Sequence, residues 1–146
     1  MQKLDHVGLV VKNLDEALKT YETMLGLTPW SKNIVQSPSG YRIVILPIKG
    51  GGRLELIEPD LTKESRFSRF LKDRGEGIAT ISIFIENFDL EVNSLREKGF
   101  NVEVTTNSNL FPKYPFKIAW VPPKDGHGVW VELVDSEALP PNESEL

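Results

Sequence analysis

Two glutamates stand inside otherwise apolar runs, in Leu54-Glu55-Leu56-Ile57 and Val131-Glu132-Leu133-Val134. A carboxylate buried in such a run is costly unless a metal, a cation, a hydrogen-bonded partner or water satisfies it. His6, in Leu4-Asp5-His6-Val7-Gly8, and Thr80, in Ile78-Ala79-Thr80-Ile81, sit on two further apolar runs. Without an ion, burial pushes a carboxyl pKa upward, which suits a general acid or base.

Plainer readings stand beside these. His6 also suits a core histidine hydrogen-bonded to backbone. Glu55 would pair equally well with Arg53 across an exposed edge, or with Lys49, since surface ion pairs are common and weak. Glu132 is flanked by Trp130, Val131, Leu133 and Val134, so an inward-facing role is favoured. Gly50-Gly51-Gly52 reads as a hairpin turn; neither the Lys-Ser/Thr pair nor the helix of a P-loop follows it. Phe111 to Phe116 is either an aromatic wall of a pocket or a packing loop. Lys117 would suit a substrate phosphate or carboxylate, yet an isolated surface lysine needs no such role.

The elements that must position these residues follow from periodicity. Leu4 to Val11 alternates as a strand, with Leu4, His6, Gly8 and Val10 on one face. Asn13 opens a helix with Glu16 three residues on, the pattern of a capping box. Leu14, Ala17, Leu18, Tyr21 and Leu25 form its apolar stripe, and Gly26 ends it. Strands are expected over Pro29–Val35, Tyr41–Pro47 and Arg53–Glu58, with a connecting helix over Leu61–Arg74. Then the pattern restarts. A strand over Ile78–Ile85 leads to a helix from Asn87 to Lys98, closed by Gly99. Strands follow over Asn101–Thr106, Phe116–Val121 and Val129–Val134.

The restart is a repeat. His6 aligns with Thr80 and Asn13-Leu14-Asp15 with Asn87-Phe88-Asp89, both at an offset of 74 residues; Glu55 aligns with Glu132 at 77. This predicts an α+β fold of two tandem βαβββ units forming a curved mixed sheet around a cleft. The expected organisation is one domain over 1–135. Its parts are a first unit over 1–60, a connecting helix over 61–76 and a second unit over 77–135. A flexible tail follows over 136–146.

A chain of 146 residues suits one domain with its own core. A net charge of −4 argues against nucleic acid as partner. The absence of cysteine excludes disulfides, thiolate metal sites and a cysteine nucleophile. No apolar run reaches membrane-spanning length. The N-terminal residues lack the pattern of a signal peptide, so a cytoplasmic location is expected.

Residues 4–17, from Leu4-Asp5-His6-Val7-Gly8-Leu9 to Asn13-Leu14-Asp15-Glu16-Ala17, resemble the opening of the vicinal oxygen chelate superfamily. That group holds glyoxalase I, extradiol dioxygenases and bleomycin-resistance proteins. Leu54-Glu55-Leu56-Ile57-Glu58-Pro59 and Gly128-Val129-Trp130-Val131-Glu132-Leu133 are similar to its second and last ligand strands. Phe70-Leu71-Lys72-Asp73-Arg74-Gly75-Glu76-Gly77-Ile78 is similar to the approach to the third ligand in methylmalonyl-CoA epimerases. The resemblance spans residues 4–135. It implies a divalent ion (Co, Ni, Mn, Zn or Mg) on His6, Glu55 and Glu132, with Thr80 in the fourth position. In the epimerases that position falls in Gly-Ile-His-His-Ile; here it reads Gly77-Ile78-Ala79-Thr80-Ile81. The acidic residue that the epimerases carry before the glycine opening the third strand is also absent from Val35-Gln36-Ser37-Pro38-Ser39-Gly40. His127, in a glycine-rich turn, would be a substitute ligand, but its strand parity opposes Glu132 and a solvated loop histidine is favoured.

The resemblance implies an isomerase, epimerase or lyase, epimerase-like or lactoylglutathione lyase-like. It would move a proton next to the carbonyl of a small or acyl-thioester substrate, with Glu132 and Glu55 as catalytic carboxylates and a degenerate metal site. A homodimer is expected. The second reading is a metal-free, small-molecule-binding protein of the same fold, akin to resistance proteins. A non-catalytic interaction module is the third.

Overall fold

The computed structural model describes residues 2–29, 35–107 and 114–138. Its elements run β1 (Lys3–Val10), α1 (Leu14–Leu25), β2 (Val35–Ser37), β3 (Tyr41–Pro47), β4 (Arg53–Pro59), α2 (Arg66–Arg74), β5 (Gly77–Ile85), α3 (Phe88–Glu97), β6 (Glu103–Asn107), β7 (Phe116–Val121) and β8 (Trp130–Asp135). This is an α+β fold with the order βαβββ twice and a helix between. The chain divides into two compact units, one of His6–Thr80 and one joining Met1–Asp5 to the residues from Ile81 onward.

In the His6–Thr80 unit the strands lie in the order β2-β3-β4-β1. β1 runs parallel to β4, with His6 opposite Arg53 and Gly8 opposite Glu55. β3 is antiparallel to both β2 and β4. Alternation along these strands separates two faces. Leu9, Val44, Leu46, Leu54 and Leu56 face α1 and pack on Leu14, Ala17, Leu18 and Tyr21. Residues His6, Gly8, Arg53 and Glu55 are left for the other face.

Helix α1 begins where the sequence implies. Asn13 is extended and its side chain accepts from the Glu16 N–H, satisfying one of the helix's orphan donors. Glu58 accepts from the Leu14 N–H at 2.7 Å and pairs with Arg42 at 2.8 Å. A carboxylate there also complements the positive end of the helix. Gly26 closes the helix in the left-handed conformation.

Two boundaries differ from expectation. The predicted strand over Pro29–Val35 falls mainly on residues 30–34, which lie outside the described residues; the strand seen is Val35–Ser37. Helix α2 starts at Arg66, not Leu61, because Ser65 and Ser68 form a reciprocal capping box there. Upstream, Asp60 accepts from the Thr62 N–H and hydroxyl, and these bonds hold its carboxyl below the usual range. That turn occupies the residues assigned to the helix's first turn.

In the second unit the order is β5-β8-β7-β6. Helix α3 packs Phe88 and Val92 on Ile83, Ile85, Ala119, Val121, Val131 and Leu133. Its cap departs from that of α1: Asn87 is left-handed and its side chain makes no cap bond. The Asn87 N–H instead meets the Glu137 carboxylate at 3.2 Å. Ser136 donates to the Ile85 carbonyl. The segment expected to be loose therefore begins with a held 3-10 turn, Ser136–Ala138; residues 139–146 lie outside the described residues. Among the described residues no helix is long and apolar enough to cross a membrane.

Candidate functional site

His6 and Glu55 meet on the face of the first sheet turned away from α1. Parallel pairing of β1 with β4 sets Gly8 opposite Glu55 and His6 opposite Arg53, so His6 and Glu55 project from neighbouring strands on one side. The His6 Nε2 lies 3.3 Å from the Glu55 Oε2, and their side chains are only 10% and 13% exposed. Ile45, the register partner of Glu55 on β3, is buried on the same face. The reading of Glu55 as half of an exposed edge pair with Arg53 or Lys49 is thus replaced: the carboxylate is sheltered and pairs with His6.

Thr80 lies on β5 and is fully buried. Its Oγ1 has no hydrogen-bond partner among the described residues. That oxygen lies over Gly8, so close that a Cβ built on Gly8 would collide with it. The hydroxyl therefore borders the face that carries His6 and Glu55.

The imidazole nitrogen and the carboxylate oxygen stand about as far apart as two ligands of one divalent ion held by bonds of roughly 2.0–2.2 Å. These two residues fit such an ion. Thr80 fits less well, because a neutral hydroxyl is a poor donor to transition metals. Among the described residues, no three His, Cys, Asp or Glu side chains come together as a metal-holding group.

Glu132 is built into the second unit by the same logic. β7 and β8 pair with Trp120 opposite Glu132. The helix-facing side is taken by Ala119, Val121, Val131 and Leu133, so Glu132 emerges on the side opposite α3. It is 4% exposed. On that side Trp120 and Trp130 meet edge to face at 6.2 Å, and the Trp120 indole donates to the Thr105 hydroxyl at 2.8 Å. Both rings therefore stand on the same side of the sheet as Glu132.

Other candidates take their plainer readings. His127 is exposed in a turn with φ +54°. Lys117 pairs with Asp89 at 2.9 Å and lies over the Phe88 ring, on the α3 side. Gly50 to Gly52 form the β3–β4 turn, all at positive φ, closed by the Ile48 N–H on the Gly52 carbonyl. Residues 111–113 lie outside the described residues.

Two features escaped sequence reasoning. Gly8 was placed on the correct face, but the collision its Cβ would cause depends on a distant strand. Ser82, two residues beyond Thr80, is also fully buried with no hydroxyl partner among the described residues. Alternation along β5 was its only advance signal.

Comparison with known proteins agrees with this architecture. Residues 5–109 match the family model described as Glyoxalase/Bleomycin resistance protein/Dioxygenase superfamily. The chain belongs to that superfamily. It is 30% identical over 149 residues to the uncharacterized protein YqjC of Bacillus subtilis (strain 168), covering 99% of this chain and 100% of that one. The crystal structure of methylmalonyl-CoA epimerase from Mycobacterium tuberculosis superposes with a TM-score of 0.73 at 31% identity, covering 90% of this chain and 86% of that one. A Streptomyces coelicolor methylmalonyl-CoA epimerase variant in complex with 2-nitronate-propionyl-CoA superposes with a TM-score of 0.71 at 27% identity, over 92% and 96%.

Proposed function

We propose that the protein is an epimerase-like isomerase that moves a proton on the carbon next to the carbonyl of an acyl thioester. The observation that carries this reading is the pair of carboxylates at equivalent repeat positions. Glu55 and Glu132 are each sheltered on the non-helical face of their own sheet, in a chain similar to methylmalonyl-CoA epimerases along most of its length.

Glu132 is the group assigned to take the α-proton. The C–H bond breaks, the proton passes to a Glu132 oxygen, and the electron pair delocalises onto the thioester oxygen. Return of a proton to the same face regenerates substrate; return to the opposite face from a second acid inverts the centre. With no carboxylate in Val35–Gly40, Glu55 is the remaining candidate for that second acid. His6 holds Glu55 in place. His6 and Glu55 would hold a divalent ion; Glu132 is proposed as its third ligand on the family resemblance alone, and the ion would polarise the carbonyl. A cytoplasmic homodimer completes the proposal.

The test is α-proton exchange of propionyl-CoA and methylmalonyl-CoA in D2O, followed by mass spectrometry. Deuterium uptake that vanishes in Glu132→Gln supports the reading; no uptake on any acyl thioester overturns it. The buried, unpartnered Thr80 hydroxyl favours a second reading, a metal-free small-molecule binder. Ligand binding without exchange, undiminished by chelator, would select it.

A further inference from the structure

We infer that the Thr80 hydroxyl is the hydrogen-bond donor for an anionic, enolate-like oxygen of the bound ligand. This deepens the acyl-thioester reading and rests on it. The argument begins with a cost. A threonine hydroxyl brings one donor and two acceptor positions, and this one is sealed from solvent with none of them used among the described residues. Valine would fill nearly the same volume without an orphaned polar atom. Orphans of this kind in a folded core call for an explanation, and a ligand is one.

Placement supplies the second observation. The hydroxyl occupies the space over Gly8 that any side chain there would take. Gly8 is the register partner of Glu55 and lies two residues from His6. The missing Cβ brings a neutral donor to the border of the face on which His6 and Glu55 meet. A neutral hydroxyl bonds a charged oxygen more strongly than a neutral one. It thus favours a ligand in which negative charge has moved onto oxygen over the ground-state thioester, which is the differential binding that accelerates a reaction.

Calorimetric titration of the full-length protein with propionyl-CoA and with its nitronate analogue tests this. The nitronate is planar and carries its negative charge on oxygen, like the enolate. In Thr80→Val, nitronate affinity is expected to fall about 10- to 100-fold, and propionyl-CoA affinity by less than about threefold. Thr80→Ser keeps the hydroxyl and should stay within about fivefold of wild type. Unliganded Thr80→Val should melt no lower than wild type, which separates lost binding from lost folding. A Thr80→Val protein that binds the nitronate as tightly as wild type overturns the inference and leaves a buried water as the hydroxyl's partner. A wild-type protein that binds neither compound overturns the acyl-thioester reading, and the inference with it.

Discussion

The two βαβββ passages share a backbone plan and differ in what they place on it. In the first, β1 and β4 set an imidazole and a carboxylate 3.3 Å apart. In the second, the equivalent positions on β5 and β8 carry a hydroxyl without a partner among the described residues and a carboxylate beside two indole rings. The helix starts diverge too. Asn13 caps α1 with its side chain, whereas Asn87 adopts a left-handed conformation and leaves its N–H to Glu137. A repeated fold therefore does not imply a repeated chemistry. The backbone fixes where a side chain emerges, and its identity decides whether that position binds, transfers a proton or only packs.

The largest effect that would break or sharpen this contrast lies at the two glutamates. Glu132→Gln should lower α-proton exchange at least about 100-fold while the fold persists; an unchanged rate would remove the second repeat's claim to the chemistry. Glu55→Ala should act on stability as well, because it removes the contact with His6 at 3.3 Å. Loss of this sheltered contact is expected to cost about 1 kcal/mol in urea unfolding. A loss below about 0.5 kcal/mol would place the pair with ordinary surface contacts. Thr80→Val should stabilise the unliganded protein by about 1 kcal/mol, since it deletes an orphaned hydroxyl; destabilisation of that size would mean that the hydroxyl already has a partner. The smallest effects concern the caps. Asn13→Ala should cost about 1 kcal/mol, whereas Asn87→Gly should be neutral or gain a few tenths, because glycine accepts positive φ without strain. Equal losses at both sites would erase the distinction between the two helix starts.

Much of the architecture was legible because it rests on local rules. Alternation defined β3 from Tyr41 to Pro47 and β7 from Phe116 to Val121 to the residue. The constant offset of 74 residues exposed the repeat before any coordinates. Leu61 misled because it is apolar, yet it stays half exposed in the turn before α2; the Ser65–Ser68 box outweighed it. At the site, strand parity and family resemblance together singled out His6, Glu55, Thr80 and Glu132. What parity could not supply was partnership. That Glu55 meets His6 follows from the parallel register of β1 with β4, and that the Thr80 hydroxyl lies over Gly8 follows from contact between distant strands. Neither is encoded in spacing along the chain.

The turn of Gly50 to Gly52 has a practical consequence. Lys49 leads into this turn and is exposed, avoiding the positive φ that would strain a side chain at Gly50 or Gly51, and β4 begins at Arg53, two residues before Glu55. This hairpin tip is an attachment point for a reporter. In a chain without cysteine, a single thiol introduced there would take one fluorophore at one known place. That label would stand a few residues from a candidate catalytic carboxylate, and its signal would follow ligand arrival without any substitution in the site.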